Sequence, residues 1–286
     1  MNRPANDPIS DRRGPVSAAI ARLVPWRVRY LAEWWPRMTL GSVRELWTTT
    51  RRLERGGEDV RRVFSLRMKR PFAGRVFLRE IPSDVWTFEE IVKEQVYAGV
   101  ARILRDCRSV IDVGAHIGLA SRYFAARFPR CRLFALEPSA ENYPILERNL
   151  EALVSAGRCR AIRAAAWAHS ARLVLEGPLS ATQFNSFRVV AAVDGGESPA
   201  SVTGLGMDEI LRASGFAAVD LVKFDIEGAE REVLGGDDSW LDRVRAVAVE
   251  FHEGSRAESD FDRRVERRGF RVVDAGRHTV LAVRAS

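Results

Sequence analysis

From Ser109 to the C-terminus, short apolar runs alternate with segments whose apolar residues recur at helical spacing. Ser109–Val113, Arg132–Leu136, Cys159–Ala164, Val219–Phe224 and Val244–Phe251 read as strands buried on both faces. Gly118–Phe128, Glu141–Leu153, Met207–Ala213, Ala229–Leu234 and Asp260–Arg268 read as the helices between and after them. Shorter β-like runs, Arg172–Leu175 and Phe187–Ala191, precede a Gly-rich loop at Asp194-Gly-Gly. Phe270–Val273 and Thr279–Val283 read as a final antiparallel pair. The pattern predicts an α/β fold: a mostly parallel central sheet, helices on both faces, and a terminal antiparallel hairpin.

Before Ser109 the pattern changes. Residues 1–16 are polar, broken by proline and glycine, and expected to be disordered. Residues 17–64 read as helical, with Leu23, Trp26, Tyr30 and Trp34 spaced for one face and Trp35 and Trp47 beyond it. Arginines interleave with these aromatics. Such a segment either packs on the core through its aromatics, the reading favoured, or lies on a membrane surface. Arg75–Arg79 alternates apolar and charged residues as a short strand would, Pro82-Ser83-Asp84 suits a turn and N-cap, and Phe88–Leu104 has helical period. The chain is therefore divided into a Trp/Arg-rich extension, 1–70, and a domain, 71–286, with its core from about 109.

Charge sharpens that division. The net charge is +7, yet residues 1–70 hold 16 Lys and Arg against 7 Asp and Glu, so the excess belongs to the extension. The remainder is slightly acidic, which argues against a nucleic-acid partner for the core. No run of 18 apolar residues and no signal-peptide core occurs, so a cytoplasmic location is expected, with peripheral contact at the inner membrane surface through 17–64. Cys107, Cys131 and Cys159 lack metal-ligand spacing and read as buried small hydrophobes.

Four clusters carry chemistry. Asp112-Val-Gly114-Ala-His116-Ile-Gly118 sits where a strand turns into a helix, and its glycines allow a tight turn and a close ligand. It lacks the glycine spacing of a dinucleotide pyrophosphate site and opens with an acid. That acid would repel phosphate and suits a sulfonium ligand bearing an ammonium group. His116 is expected to shape the pocket. Glu137 ends the next strand, about 20 residues on, where an acid accepts ribose hydroxyls. In Lys223-Phe-Asp225-Ile-Glu227-Gly-Ala-Glu230, alternation puts Asp225 and Glu227 on one side of an extended strand, able to hold a metal, act as base or position a hydroxyl. Glu230 is expected to pair with Lys223 or cap the helix. Glu250-Phe-His252 ends the following strand and offers a general base. His169 and His278 have no chemical neighbours in sequence and read as surface residues.

These motifs, together with Glu141-Asn-Tyr, Asn149 and Val233-Leu-Gly-Gly236, resemble the FkbM-type methyltransferases over about residues 75–286. The resemblance implies a Rossmann-like class I methyltransferase using S-adenosyl-L-methionine, usually on a hydroxyl of a macrolide polyketide, a sugar or a glycan. It implies that Asp112, Gly114 and Gly118 hold the methionine end, that Glu137 holds the ribose, and that Asp225, Glu227 and His252 face a small-molecule or glycan acceptor. Some related sugar methyltransferases use a divalent metal such as Mg2+, for which Asp225 and Glu227 are the candidates. Residues 178–206 match the family loosely, and the first seventy lie outside its usual pattern. An NAD-dependent dehydrogenase, a non-catalytic scaffold docking through its N-terminus and a nucleic-acid methyltransferase are the weaker readings.

Overall fold

The computed structural model describes residues 26–177, 188–191, 201–276 and 278–284. The segment expected to be disordered, the start of the N-terminal helical stretch and the Asp194-Gly-Gly loop lie outside the described residues. The chain opens with helices α1 (Trp26–Trp34) and α2 (Leu40–Leu53) and a hairpin of β1 (Asp59–Met68) and β2 (Gly74–Glu80). α3 (Pro82–Phe88), a π-helical turn (Glu89–Glu94) and α4 (Ala98–Leu104) lead into the core. There β3 (Ser109–Val113), α5 (Leu119–Arg127), β4 (Arg132–Leu136), α6 (Tyr143–Ser155) and β5 (Cys159–Ile162) alternate. Four short strands follow, β6 (Ala165–Ala166), β7 (Ala171–Glu176), β8 (Arg188–Ala191) and β9 (Ser201–Leu205), forming a small sheet of their own. The chain then continues through α7 (Met207–Ser214), β10 (Leu221–Phe224), α8 (Glu230–Leu234), β11 (Ala246–Glu250), α9 (Ser255–Glu258) and α10 (Phe261–Arg267). It finishes with β12 (Phe270–Asp274) and β13 (Thr279–Arg284).

Seven strands form the central sheet in the order β12-β13-β11-β10-β3-β4-β5. β3, β4, β5, β10 and β11 are parallel, while β13 runs antiparallel to both β11 and β12. This is the Rossmann-like parallel sheet with a terminal hairpin that the pattern predicted. The physical reason is visible in β3, which is buried along its whole length. Val110 packs into the core on one face, and Ile111 and Val113 into the core on the other. The chain leaves β3 toward β4 on one side and β10 joins on the other, so a crevice opens at the carboxyl ends of β3 and β10.

The N-terminal region differs from the expectation in two places. The helical stretch ends at Leu53, and residues 59–68 are a strand in which Phe64, Leu66 and Met68 alternate inward. The hairpin it forms with β2 straddles the expected boundary at residue 70. Asn149 on α6 clamps this hairpin to the core: its Oδ1 accepts from Phe77 N at 2.8 Å, and its Nδ2 donates to Phe77 O at 2.9 Å and Ile117 O at 2.8 Å. Trp34, Met38 and Leu46 share one apolar cluster with Tyr123 and Leu146 of the core helices. Phe88–Leu104, expected as one helix, is interrupted by the π-helical turn and by Gln95 at φ 51°. The extra residue of a π turn and the left-handed residue after it bend the segment across the crevice.

Candidate active site

A cavity of about 370 Å³ occupies the crevice at the ends of β3, β4, β10 and β11. Its size suits a small-molecule site, for which about 300–1,000 Å³ is usual. Glu90, Ile91, Val96 and Tyr97 from the π-helical turn and the chain after it form its outer wall. Two residues lining the cavity, His116 and Glu227, hold left-handed backbone at φ 50° and 52°. Such conformations cost about 1–3 kcal/mol each and gather at functional sites.

One half of the cavity is built from the β3 and β4 loops. Glu137 is buried, and its Oε1 accepts from Ser139 N at 3.0 Å and Asn142 Nδ2 at 3.1 Å, while its Oε2 accepts from His116 N at 2.8 Å. Burial pushes its carboxyl up to about 7 against these three hydrogen bonds. Oε2 keeps a free lone pair toward the cavity, since a carboxylate offers about four acceptor positions. A bidentate grip on two ribose hydroxyls would therefore crowd Oε1, whose two positions are already used. Asn142 is itself held by Arg79, whose Nη2 reaches Asn142 Oδ1 at 2.8 Å and Asp84 Oδ1 at 2.7 Å. Arg79 Nε also donates to Asp84 Oδ2 at 3.0 Å, closing a buried fork. The Asp84 carboxylate lies 3.7 Å from His116 Nε2, and burial pulls that imidazole down to about 4, so it is neutral at neutral pH.

The other half is built from the β10 and β11 loops. Lys223, almost fully buried, lies 3.1 Å from Asp112 and 3.6 Å from Asp225 and donates to Gly114 O at 2.8 Å. Asp225 and Glu227 both reach the cavity, but not by strand alternation. β10 ends at Phe224, and the left-handed turn at Glu227 and Gly228 brings the second carboxylate round. His252 Nε2 lies 3.9 Å from Asp225 Oδ1 and 3.8 Å from Glu227 Oε2. Its Nδ1 donates to Glu230 Oε1 at 2.9 Å. Glu230 also accepts from Ile226 N at 3.3 Å and Gly228 N at 2.9 Å, which fixes the turn. It thus ties the turn and orients the imidazole, and Lys223 pairs elsewhere. Burial opposes the charge on His252, but the Glu230 hydrogen bond and the Glu227 and Asp225 charges outweigh it and carry the imidazole up to about 9. One ligand atom from each of Asp225, Glu227 and His252 falls within 4.8 Å of the others, a grouping able to hold a cation.

Residues 112–272, more than half of the chain, match the methyltransferase FkbM domain family. The chain belongs to that family. It is 26% identical over 213 residues to the 31-O-demethyl-FK506 methyltransferase FkbM of Streptomyces tacrolimicus, covering 65% of this chain and 81% of that one. It is 27% identical over 191 residues to the methyltransferase sdnD of Sordaria araneosa, covering 57% and 74%. The AMB antimetabolite synthetase AmbE of Pseudomonas aeruginosa is 29% identical over 215 residues, 64% of this chain but only 10% of that protein. The crystal structure of methyltransferase FkbM from Methylobacillus flagellatus KT aligns with a TM-score of 0.44 at 17% identity, over 62% of this chain and 43% of that one.

FkbM membership makes this chain a methyltransferase and implies S-adenosylmethionine as its methyl donor. Among the expected cofactor residues, Gly114, His116 and Glu137 line the cavity. Asp112 and Gly118, expected at the methionine end, are not among its lining residues. Asp112 is fully buried between Lys223 and Ser121, whose hydroxyl donates to it at 2.7 Å. Gly118 faces Leu146 and Leu150, where a Cβ would stand 3.2 Å from Leu150 Cγ. Gly114 is required by its own fold, because a Cβ there would stand 1.9 Å from Asp225 O. Asp225, Glu227 and His252, expected to face the acceptor, all converge on the cavity, and Glu250 lines it beside them. His169 is exposed, as expected, whereas the exposed His278 stands at the cavity rim. Lys223 and Asn142 are the site residues that sequence reasoning passed over as chemistry. Their signal was present in the Lys-Phe-Asp and Glu-Asn-Tyr runs, but their partners lie far along the chain.

Proposed function

We propose that this FkbM-family chain methylates a hydroxyl oxygen of a sugar, glycan or polyketide-type small molecule, with Asp225, Glu227 and His252 facing the acceptor. The observation that carries this reading is the pinned imidazole: Glu230 holds His252 Nδ1, so Nε2 is presented between two carboxylates at the cavity floor. Bound S-adenosylmethionine supplies an electrophilic methyl on a cationic sulfur and leaves as neutral S-adenosylhomocysteine. The residues present suit it. The cavity is rich in carboxylates, which favours a sulfonium cation; Glu137 has an acceptor position toward the cavity; and His116 Nε2 is a buried polar atom without a hydrogen-bond partner.

In this reading the acceptor oxygen forms the new C–O bond as the S–CH₃ bond breaks, and the S–C electron pair stays on sulfur. The hydroxyl proton passes to Asp225, because a His252 carried up to about 9 already holds its own proton at neutral pH. Glu227 and the His252 N–H orient the hydroxyl. A positioned base contributes about 10²–10⁴-fold, and alignment contributes more where effective molarities reach about 10⁵ M. In place of the His252 proton, Asp225 and Glu227 would hold a divalent ion such as Mg2+, with a neutral His252 as a third ligand oriented by Glu230 from behind. Such an ion would supply Lewis-acid polarisation of the hydroxyl.

The test is transfer of labelled methyl from S-adenosylmethionine to sugar, glycan and macrolide acceptors, with and without Mg2+ or a chelator. Label in a methyl ether on one of these classes supports the reading. Label only on nitrogen, or a mutant lacking both Asp225 and His252 that still turns over normally, removes it.

A further inference from the structure

Eight large apolar side chains stand out into solvent among the described residues, and four of them fall within thirteen residues: Val28, Leu31, Trp35 and Leu40. Val28, Leu31 and Trp35 follow the i, i+3, i+7 spacing of one helical stripe. The helical path reaches Trp35, whose N–H donates to Leu31 O at 2.8 Å. The opposite face of α1 is already used. Trp34 is fully buried and stacks on Phe88 at 5.4 Å between ring centres, with Tyr30 beside it at 6.4 Å. α1 therefore has two apolar faces, and the protein core covers one.

The rim of the outer stripe is basic. The Lys69 ammonium sits 3.7 Å from the centre of the Trp35 ring and donates to Trp35 O at 2.7 Å. The Arg67 carbonyl accepts from Thr39 N at 3.1 Å, which sets the end of β1, with Lys69 and Arg70 just after it, beside Leu40. Arg44, exposed, lies one helical turn after Leu40. The nearby acid, Glu33, is paired with Lys93 at 3.5 Å. A second copy of the chain docked on this stripe would bring two basic rims together, and that repulsion disfavours self-association.

We propose that Val28, Leu31, Trp35 and Leu40 form a docking surface for an anionic lipid bilayer, with Arg44, Arg67, Lys69 and Arg70 at the level of the phosphates. An amphipathic Trp–Leu stripe under a basic rim binds in the headgroup and acyl boundary. Each Lys or Arg near an anionic surface adds an attraction that salt screens. The surface belongs to the segment that precedes the catalytic core, so it does not depend on the assignment of acceptor or metal.

The experiment is sedimentation of the full chain with vesicles of phosphatidylcholine alone and of phosphatidylcholine with phosphatidylglycerol, at low and high salt. The wild-type chain is expected to sediment with the anionic vesicles, to lose most binding at high salt, and to ignore the neutral ones. Leu31→Glu/Trp35→Glu is expected to weaken partitioning about tenfold or more. Val154→Glu, an exposed apolar site on α6, is expected to leave partitioning unchanged. Unaltered thermal melts show that both variants fold. Lys69→Gln/Arg70→Gln, which keeps the apolar stripe, is expected to flatten the salt dependence. Absence of anionic-vesicle binding, equal binding by Leu31→Glu/Trp35→Glu, or binding only after residues 1–25 are removed would each overturn the proposal. So would a wild-type dimer that dissociates in that variant without any lipid binding, which would give the stripe to a second copy.

Discussion

Two of the histidines that line the cavity have surroundings that push them in opposite directions. His116, on the β3 loop, is pulled down to about 4, chiefly by burial. His252, at the end of β11, is carried up to about 9 although burial opposes it there too. A unit charge about 4 Å away is worth about 4 kcal/mol at an effective dielectric of about 20. The carboxylate facing His116 Nε2 is Asp84, at 3.7 Å, but the Arg79 guanidinium already occupies that carboxylate through two hydrogen bonds. His252 faces Glu227, Asp225 and Glu230, and the cation of that half, Lys223, lies closer to Asp112 than to Asp225. Hydrogen bonds from Ser139, Asn142 and His116 pre-organise the half built around Glu137, as the proposed cofactor half should be. The half around His252 has an excess of negative charge that a proton, an acceptor or a divalent ion must offset.

The comparison breaks most visibly at Lys223, which joins the halves. Lys223→Met leaves the Asp112 carboxylate buried without its cation, a change that costs about 3–5 kcal/mol. A denaturant midpoint unchanged from wild type would show that the pair does not hold β3 to β10. Next comes chemistry. Asp225→Asn is expected to lower kcat about 10²–10⁴-fold while cofactor affinity, measured by calorimetry, stays within about twofold. Loss of cofactor affinity instead would merge the two halves.

Glu137→Gln is expected to weaken cofactor binding about tenfold or more, since a hydrogen bond to a charged group is worth about 1.5–3 kcal/mol. Because burial sets the Glu137 carboxyl at about 7, wild-type affinity should rise with pH toward 7 and level off above it. A flat profile would mean that the ionised carboxylate is not the acceptor. Stability of the chelated protein should show the mark of His252. Its folded value lies above the unfolded one, so its contribution is fully present below about 6.5 and is lost as pH rises through about 9. That loss amounts to about 2 kcal/mol, allowing for a partly exposed ring. Glu250, pushed up to about 7 by burial and then Asp225, acts with the same sign from about 4.5 upward. Thermal melts across this range with His252→Gln should be flatter above 6.5; parallel curves would discard the three-carboxylate picture. The smallest effect is expected for Asn142→Ala, which removes one of three donors to Glu137 and should weaken cofactor binding only a few-fold.

Much of this site was legible before the fold. Gly114, Glu137, Asp225 and His252 each end a strand, and in a parallel sheet strand ends gather at one edge, so their convergence follows from the alternation alone. Other residues reach the site for a different physical reason than alternation. Asp225 and Glu227 were expected to share a strand face, yet a left-handed turn brings them together. The β1 hairpin was also readable, since Phe64, Leu66 and Met68 alternate, but a run of arginines after a helical stretch hid the change of period.

The chain's own pattern therefore determined the parallel sheet, its terminal hairpin, the sulfonium-compatible glycine loop and the acidic strand ends, because periodicity and turn chemistry act over a few residues. Only the tertiary structure decided that Asp112 pairs with Lys223, that Glu230 holds His252, and that Arg79 and Asn142 brace Glu137. Those partners lie 111, 22 and 63 residues apart or arise from a helix bent across the crevice, and no local spacing encodes which buried charges meet. The reason is physical: burial makes an unpaired charge so costly that the pairing is settled by packing of the whole core, after the local elements are in place.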